Sequence, residues 1–302
     1  MNSKAAVVMQ TDFTKDISVC TMQGVCMMVD PTLRVFDNTH DIKSFDTYQA
    51  STCLSYVVDF WPAGTVFVSV VDPGVGTDRR ACVAKLKNGS YVVTPDNGTL
   101  THVAKYIGVE AVRVINEEAH RLKTTAQCNI FHGRDVFAYC AAKLAAGIIT
   151  YEEVGPEYPI EEIVLHEIIP YQWEGNKFFG MIDTADYHFG LICSNIPADV
   201  FEKAGVSYGD LLNVKIRKQG QEEPVFSGEV PFCDSFGSVA EGEPLLMVSE
   251  TLQIQIAINY ENMSEKYGIQ VGPNWTIEME LCEKGENRYE KTNNSYAIGF
   301  WD

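Results

Sequence analysis

Two short segments carry the residues best suited to chemistry. In VVDPGVGTDRR (70–80) a carboxylate, Asp72, closes a β-branched run and is followed by Pro-Gly and a second glycine, with Arg79 just beyond. In IFHGRDVF (130–137) His132 stands just before a helix start, and Gly133 permits close backbone approach by a ligand. A carboxylate on a tight turn, a permanently charged guanidinium and an imidazole can together hold a water, remove its proton and balance the charge that forms. Each residue also has a plain structural reading: an Asp-capped turn, a surface arginine, a solvent-facing histidine. Gly74-x-Gly76 lacks the third glycine of a dinucleotide fingerprint and precedes a hairpin, so no helix N-terminus is offered to a pyrophosphate. TDF (11–13) sets Asp12 at a strand end, where it accepts from a ribose diol or caps the next helix. PDNG (95–98) reads as a turn, and DYHFG (186–190) puts an acid and an aromatic in one loop. His40, His102, His120, His166 and His188 show no metal-ligand spacing, so a zinc site is not expected.

The elements that must position these groups alternate. AAVVMQ reads as a buried strand, Val19 to Val29 as a helix stopped by Pro31, and Asp46 to Phe60 as a second helix. TVFVSVV (65–71) is a continuous β-branched run, as expected of a strand buried on both faces. ACVAKLKNGSYVVT reads as a hairpin through Asn88-Gly89. A short helix from Thr99 to Tyr106, a strand at VRVI (112–115) and a helix from Asp135 to Ala146, closed by Gly147, complete the half. The pattern implies an N-terminal α/β domain over 1–158 with a mostly parallel central sheet, sites forming at the carboxyl ends of its strands. An acidic, proline-punctuated connection over 159–176 follows. From Lys177 short alternating strands dominate: FFGMIDTAD, LLNVKIRKQ, EPVFSGEV, PLLMVS and LQIQIAIN, with one helix around Ala198 to Ala204. They imply an all-β, barrel-like domain over 177–285 and a tail over 286–302.

Bulk properties narrow the partners. The 302 residues carry 41 acidic and 23 basic side chains, a formal net charge of −18, which disfavours nucleic acid and anionic lipid. No apolar run approaches the roughly 18–20 residues needed to cross a bilayer. The N-terminus lacks a signal peptide's basic start and apolar core, so a cytoplasmic protein is expected. The nine scattered cysteines, none in a C-x-x-C, read as reduced, mostly structural thiols.

TDF, VDPGVGT-x-RR, PDNG, F-H-G-R-D-x-F and a later D-x-x-FG, in this order, resemble the S-adenosyl-L-methionine (SAM) hydroxide adenosyltransferases, relatives of the SAM-dependent fluorinases and chlorinases. The resemblance spans roughly residues 5 to 265. It implies an α/β domain, a barrel-like domain and a homotrimer with active sites between subunits. Asp72, Arg79 and His132 match the hydrolytic branch's catalytic set; the fluorinase branch carries a tyrosine in place of the Asp and Tyr-Ser in place of His132-Gly133, so halide chemistry is disfavoured. The same resemblance gives Asp12 the ribose diol, Phe131 and Gly133 the wall near the reacting carbon, Asp186 the methionine ammonium, and Phe189 and Phe236 the enclosing aromatics. Three positions depart from the pattern. The glycine after TDF is Thr14, the asparagine after FG is Leu191, and Asn-Ser before the penultimate strand aligns with Ser249-Glu250, setting an anion near the methionine carboxylate.

The expected reaction is hydrolysis of SAM to adenosine and L-methionine, with no cofactor and no metal. The sulfonium makes methionine a good neutral leaving group that needs no acid. What the site must supply is an oxygen held in line, about 3–3.5 Å from C5′. Arg79 would keep Asp72 ionised and oriented, and Asp72 with His132 would hydrogen-bond the water. The alternatives are the same chemistry on another 5′-activated adenosine, motivated by Leu191 and Glu250, and a non-catalytic adenosine or SAM binder.

Overall fold

The computed structural model describes residues 4–125 and 127–282, so the tail expected over 286–302 and the last residues of the expected second domain lie outside the described residues. The described chain divides into two compact units, one ending at His166 and the other starting at Glu167.

In the first unit, β1 (Ala6–Thr11) leads into α1 (Ile17–Val29), capped by the Asp16 side chain on the Ser18 N–H. β2 (Arg34–Thr39), α2 (Thr47–Val58), β3 (Val66–Val70), β4 (Ala81–Leu86), β5 (Tyr91–Pro95), α3 (Thr101–Tyr106), β6 (Val109–Val114) and α4 (Glu117–His120) follow. A wide π-helical stretch, Gly133–Ala138, then runs into α5 (Tyr139–Ala145). The sheet order is β2-β1-β3-β5-β4-β6. β1 pairs in parallel with β2 and β3, and β3 with β5, whereas β4 is antiparallel to both its neighbours. The sheet is therefore mixed, its parallel strands on one side and the Asn88-Gly89 hairpin turning the other.

Every residue of β1 and β3 is buried, because apolar layers cover both faces. One layer packs Val7, Met9, Val68 and Val70 against Met22, Cys26, Phe137 and Ala141; the other packs Val8 and Phe67 against Leu54, Val58 and Val103. Each such fully buried Val, Leu or Phe contributes about 1.5–3 kcal/mol. These two layers fix the point at which β3 hands over to Asp72. All nine cysteines are free, and burial pushes the Cys26, Cys82 and Cys140 thiols up to about 12, leaving them inert.

The second unit is antiparallel. It comprises β7 (Gln172–Glu174), β8 (Lys177–Asp186), β9 (Leu191–Pro197), α6 (Ala198–Lys203), β10 (Leu211–Lys218), β11 (Phe226–Pro231), β12 (Pro244–Val248), β13 (Gln253–Ile258), α7 (Met263–Tyr267) and β14 (Trp275–Leu281). The strand order is β11-β10-β14-β8-β9-β13-β12, with β7 added on β8. An isolated bridge between Phe232 and Leu246, with the Cys233 N–H donating to Leu246 O at 2.7 Å, brings the two ends of the sheet together. The result is a nearly closed barrel around Phe178, Ile182, Ile192, Leu246, Ile256 and Ile277. Among the described residues no helix is long and apolar enough to cross a membrane.

Candidate active site

Asp72 lies two residues beyond β3, where the parallel sheet stops and the chain must turn. The turn is built by Val75 N–H donating to Asp72 O at 3.2 Å and Thr77 N–H donating to Gly74 O at 3.1 Å. These consecutive turns bring Arg79 back over Asp72. A Cβ on Gly74 would sit 3.1 Å from the Arg79 Cγ, so a glycine is what lets the arginine stem lie across the turn. Asn97, from PDNG, donates to Val71 O at 2.9 Å and fixes the backbone immediately before Asp72.

The three residues singled out by type and spacing form one continuous chain of contacts. Arg79 Nε donates to both Asp72 carboxylate oxygens, at 2.9 and 3.1 Å, and Nη2 donates to Asp72 Oδ2. The same Nη2 lies 3.0 Å from His132 Nδ1, and His132 Nε2 lies 2.9 Å from Asn129 Oδ1. The Asp72 and Arg79 side chains are 6% and 10% exposed, so the ion pair is shielded and unusually costly to break. Arg79 also stacks over the Phe137 ring at 5.3 Å.

The hydrogen bonds dictate the state of His132. A guanidinium has no acceptor, so Nδ1 must present its lone pair to Arg79. A neutral ring with a bare Nδ1 carries its proton on Nε2, and that proton meets Asn129 Oδ1. Burial, aided by the Arg79 and Arg121 charges, holds His132 below the ordinary histidine range, against the pull of Glu117 and Asp72. Glu117 Oε1 approaches Nδ1 at 4.0 Å while pairing with Arg121 at 3.0 Å. Both ring nitrogens are thus engaged, which the sequence-based expectation of a water on His132 does not include.

Phe131 and Gly133 flank His132 in the chain. A Cβ on Gly133 would lie 3.2 Å from the Phe131 ring and 3.3 Å from Val70, a tight fit that a bare backbone avoids. Phe131 meets Phe13 edge-on at 5.9 Å and carries the Arg134 guanidinium at 4.9 Å. Asp12 sits at the end of β1 with Oδ2 accepting from the Phe45 N–H at 2.9 Å; it holds the loop before α2 and caps no helix. Among the described residues no group of three or more His, Cys, Asp or Glu side chains could hold a metal ion.

The family models of the SAM hydroxide adenosyltransferase N-terminal and C-terminal domains match residues 7–155 and 180–276. The chain belongs to this family. It is 31% identical over 255 residues to an (R)-S-adenosyl-L-methionine hydrolase of Salinispora tropica, covering 84% of this chain and 90% of that one. A fluorinase of Actinopolyspora mzabensis is 28% identical over 290 residues, covering 86% and 92%. A crystal structure of an uncharacterized conserved protein from Thermotoga maritima superposes with a TM-score of 0.79 at 33% identity, covering 90% of this chain and 99% of that one.

The remaining positions that the family pattern points to, apart from Thr14, lie in the second unit, at strand ends and in the segments that join them. Asp186, at the end of β8, accepts from the backbone N–H groups of His188 and Phe189 at 2.9 and 3.2 Å. Phe189 and Phe236 are exposed. Leu191 packs against Cys233, Val239, Leu245, Met247 and Ala257, presenting no amide. Glu250 is exposed and its neighbour Ser249 is buried, with Ser249 Oγ accepting from the Gln253 N–H at 3.1 Å. Thr14 has φ +56, a left-handed conformation that suits the family's glycine and strains a β-branched residue; its N–H is tied to His40 O at 2.8 Å. Asn129 escaped sequence reasoning, and Asn97 was read only as part of the PDNG turn. Their only signal was position, one in a turn after a buried strand and one three residues before His132.

Proposed function

We propose that this protein hydrolyses S-adenosyl-L-methionine to adenosine and L-methionine, and that Asp72, Arg79 and His132 carry the reaction. One observation bears most of the weight: in a single shielded cluster Arg79 clamps the Asp72 carboxylate from one side and leans on His132 from the other. The names of the relatives, (R)-S-adenosyl-L-methionine hydrolases, supply the substrate.

In this reading the water is accepted on the lone pairs of Asp72 that Arg79 leaves over. Each carboxylate oxygen has two, and Arg79 occupies one side of the group. Arg79 Nη1, which has no partner among the described residues, is assigned to the developing hydroxide charge. The water oxygen attacks C5′ in line, the C5′–S bond breaks, and its electron pair stays on sulfur, giving methionine as a neutral thioether. The water proton passes to Asp72 and on to solvent. His132, as a neutral acceptor, keeps the guanidinium turned toward the carboxylate. Asp12, Phe131 and Gly133 are assigned to the ribose and the reacting carbon, and Asp186, Phe189 and Phe236 to the amino acid and adenine. These roles, the homotrimer with sites between subunits and the absence of any cofactor rest on family resemblance; sedimentation of the pure protein checks the assembly.

The deciding test is incubation of pure protein with each sulfonium epimer of the substrate in ¹⁸O-water. Adenosine carrying the label at its 5′ oxygen supports attack at C5′, and no adenosine from either epimer overturns the reading. Leu191 favours a second reading, the same chemistry on another 5′-activated adenosine, because its side chain has no hydrogen bond to offer a base. Faster turnover of a different adenosyl sulfonium in a small panel selects it.

A further inference from the structure

Asn129, to which the family resemblance assigns no role, completes the chain of hydrogen bonds that runs from Asp72 through Arg79 and His132. We propose that Asn129 is a positioning residue: by accepting from His132 Nε2–H it fixes the neutral imidazole as the Nε2–H tautomer, with a bare Nδ1 facing Arg79. The proposal rests on the catalytic reading above, but its core concerns the free protein and can be tested without substrate.

The logic is one of donors and acceptors. Arg79 donates only, so the contact of 3.0 Å between its Nη2 and His132 Nδ1 requires a lone pair there. The proton then sits on Nε2, 2.9 Å from Asn129 Oδ1, and must find an acceptor, since a buried N–H without one is costly. An amide supplies that acceptor without a charge. A carboxylate at position 129 would do the same but would also stabilise the imidazolium, whose Nδ1–H would then point at the Arg79 donors. Asparagine accepts the proton without inviting a second one. Asn129 is in turn anchored through the preceding residue, whose carbonyl accepts from Arg121 Nη2 at 2.6 Å. The charged groups facing the ring are Asp72 and Arg79 from the turn after β3, Glu117 from α4 and Arg121 from the end of α4.

Asn129 acts through His132 and Arg79 and touches no reacting atom in this reading. Its consequence is pH dependence. With a neutral His132 required, kcat/KM rises with pH along a limb set by that ring and is flat above it.

The experiment follows the His132 ring by ¹⁵N–¹H NMR in the free, full-length protein, beside kinetics. Wild type is expected to show the proton on Nε2 and a bare Nδ1. Asn129→Asp is expected to raise the His132 midpoint, and with it the acidic limb of kcat/KM, by about one pH unit, so that turnover on the acidic side falls about tenfold while the plateau is kept. Asn129→Leu is expected to lower kcat about tenfold with KM within about twofold, and Asn129→Gln to recover part of that loss. A wild-type ring protonated on Nδ1, or an Asn129→Asp midpoint that does not move, overturns the proposal. Because the ring is read directly, those outcomes stand whether or not the protein cleaves SAM, and absent turnover by wild type sinks only the catalytic reading.

Discussion

The two units meet their expected chemistry in different ways. In the first, Asp72, Arg79, His132 and Asn129 hold one another through side-chain hydrogen bonds, and packing on both faces of the sheet fixes the strand that delivers them. In the second, Asp186 is held, among the described residues, by the N–H groups of its own turn, and Phe189 and Phe236 are exposed. One region is preorganised by its own fold, as a site that must orient a water and a charge requires. The other offers apolar surface and a charge on turns, which suits binding more than chemistry. The contrast predicts that damage in the first unit falls on kcat and damage in the second on KM.

The largest effect should come from Asp72→Asn. It keeps shape but removes the charge that Arg79 pairs with, leaving a shielded cation half-satisfied. We expect kcat to fall about 10³-fold with KM within about threefold, and unfolding stability to fall by about 3 kcal/mol. Denaturant titration beside steady-state kinetics separates the two. A fall in KM-linked terms alone would erase the division between the units.

The pH profile comes next. Burial holds the His132 pKa below its ordinary value, so the unfolded chain binds the proton more readily than the folded one. This group's contribution to stability is therefore fully present above about pH 6.5, the ordinary histidine value. It is lost as pH falls from there through the depressed folded value. Activity should follow the same sign, falling up to tenfold per pH unit on the acid side, and His132→Gln should remove that limb. Asp186→Asn is smaller: KM should rise about tenfold, equivalent to about 1.4 kcal/mol, with kcat kept. A loss of kcat instead would mean that the second unit shares the chemistry.

What the sequence made legible follows from the same physics. β1 and β3 could be read because strands covered on both faces are continuous apolar runs, and Asp72 because a carboxylate ending such a run has few reasons to be there. β2 escaped because it lies at the sheet's edge and its RVFDNT carries no apolar alternation. The helix expected from Asp135 begins at Gly133 as a π-helical stretch; the α period cannot show such a turn, in which the Asp135 carbonyl also accepts from the Leu122 N–H at 2.8 Å. Asn129 and Asn97 were illegible because their value lies in the acceptors and donors they meet across long loops. Residue type alone marks neither.

The smallest effects probe the departures from family pattern. Glu250, expected to set an anion near a substrate carboxylate, is exposed, so water screens its charge, and Ser249 is its buried neighbour. Glu250→Gln should change KM less than twofold, while Ser249→Ala loses the bond to the Gln253 N–H and about 1 kcal/mol of stability. Thr14→Gly is the subtlest. A β-branched residue held at φ +56 costs about 1–2 kcal/mol relative to glycine, and glycine's freedom in the unfolded chain returns about 0.5–1 kcal/mol of that. The net expectation is a gain of about 0.5 kcal/mol, a degree or two in Tm for a chain of this size. A clear destabilisation would show that the Thr14 side chain supports the Asp12 loop in a way its strained backbone conceals.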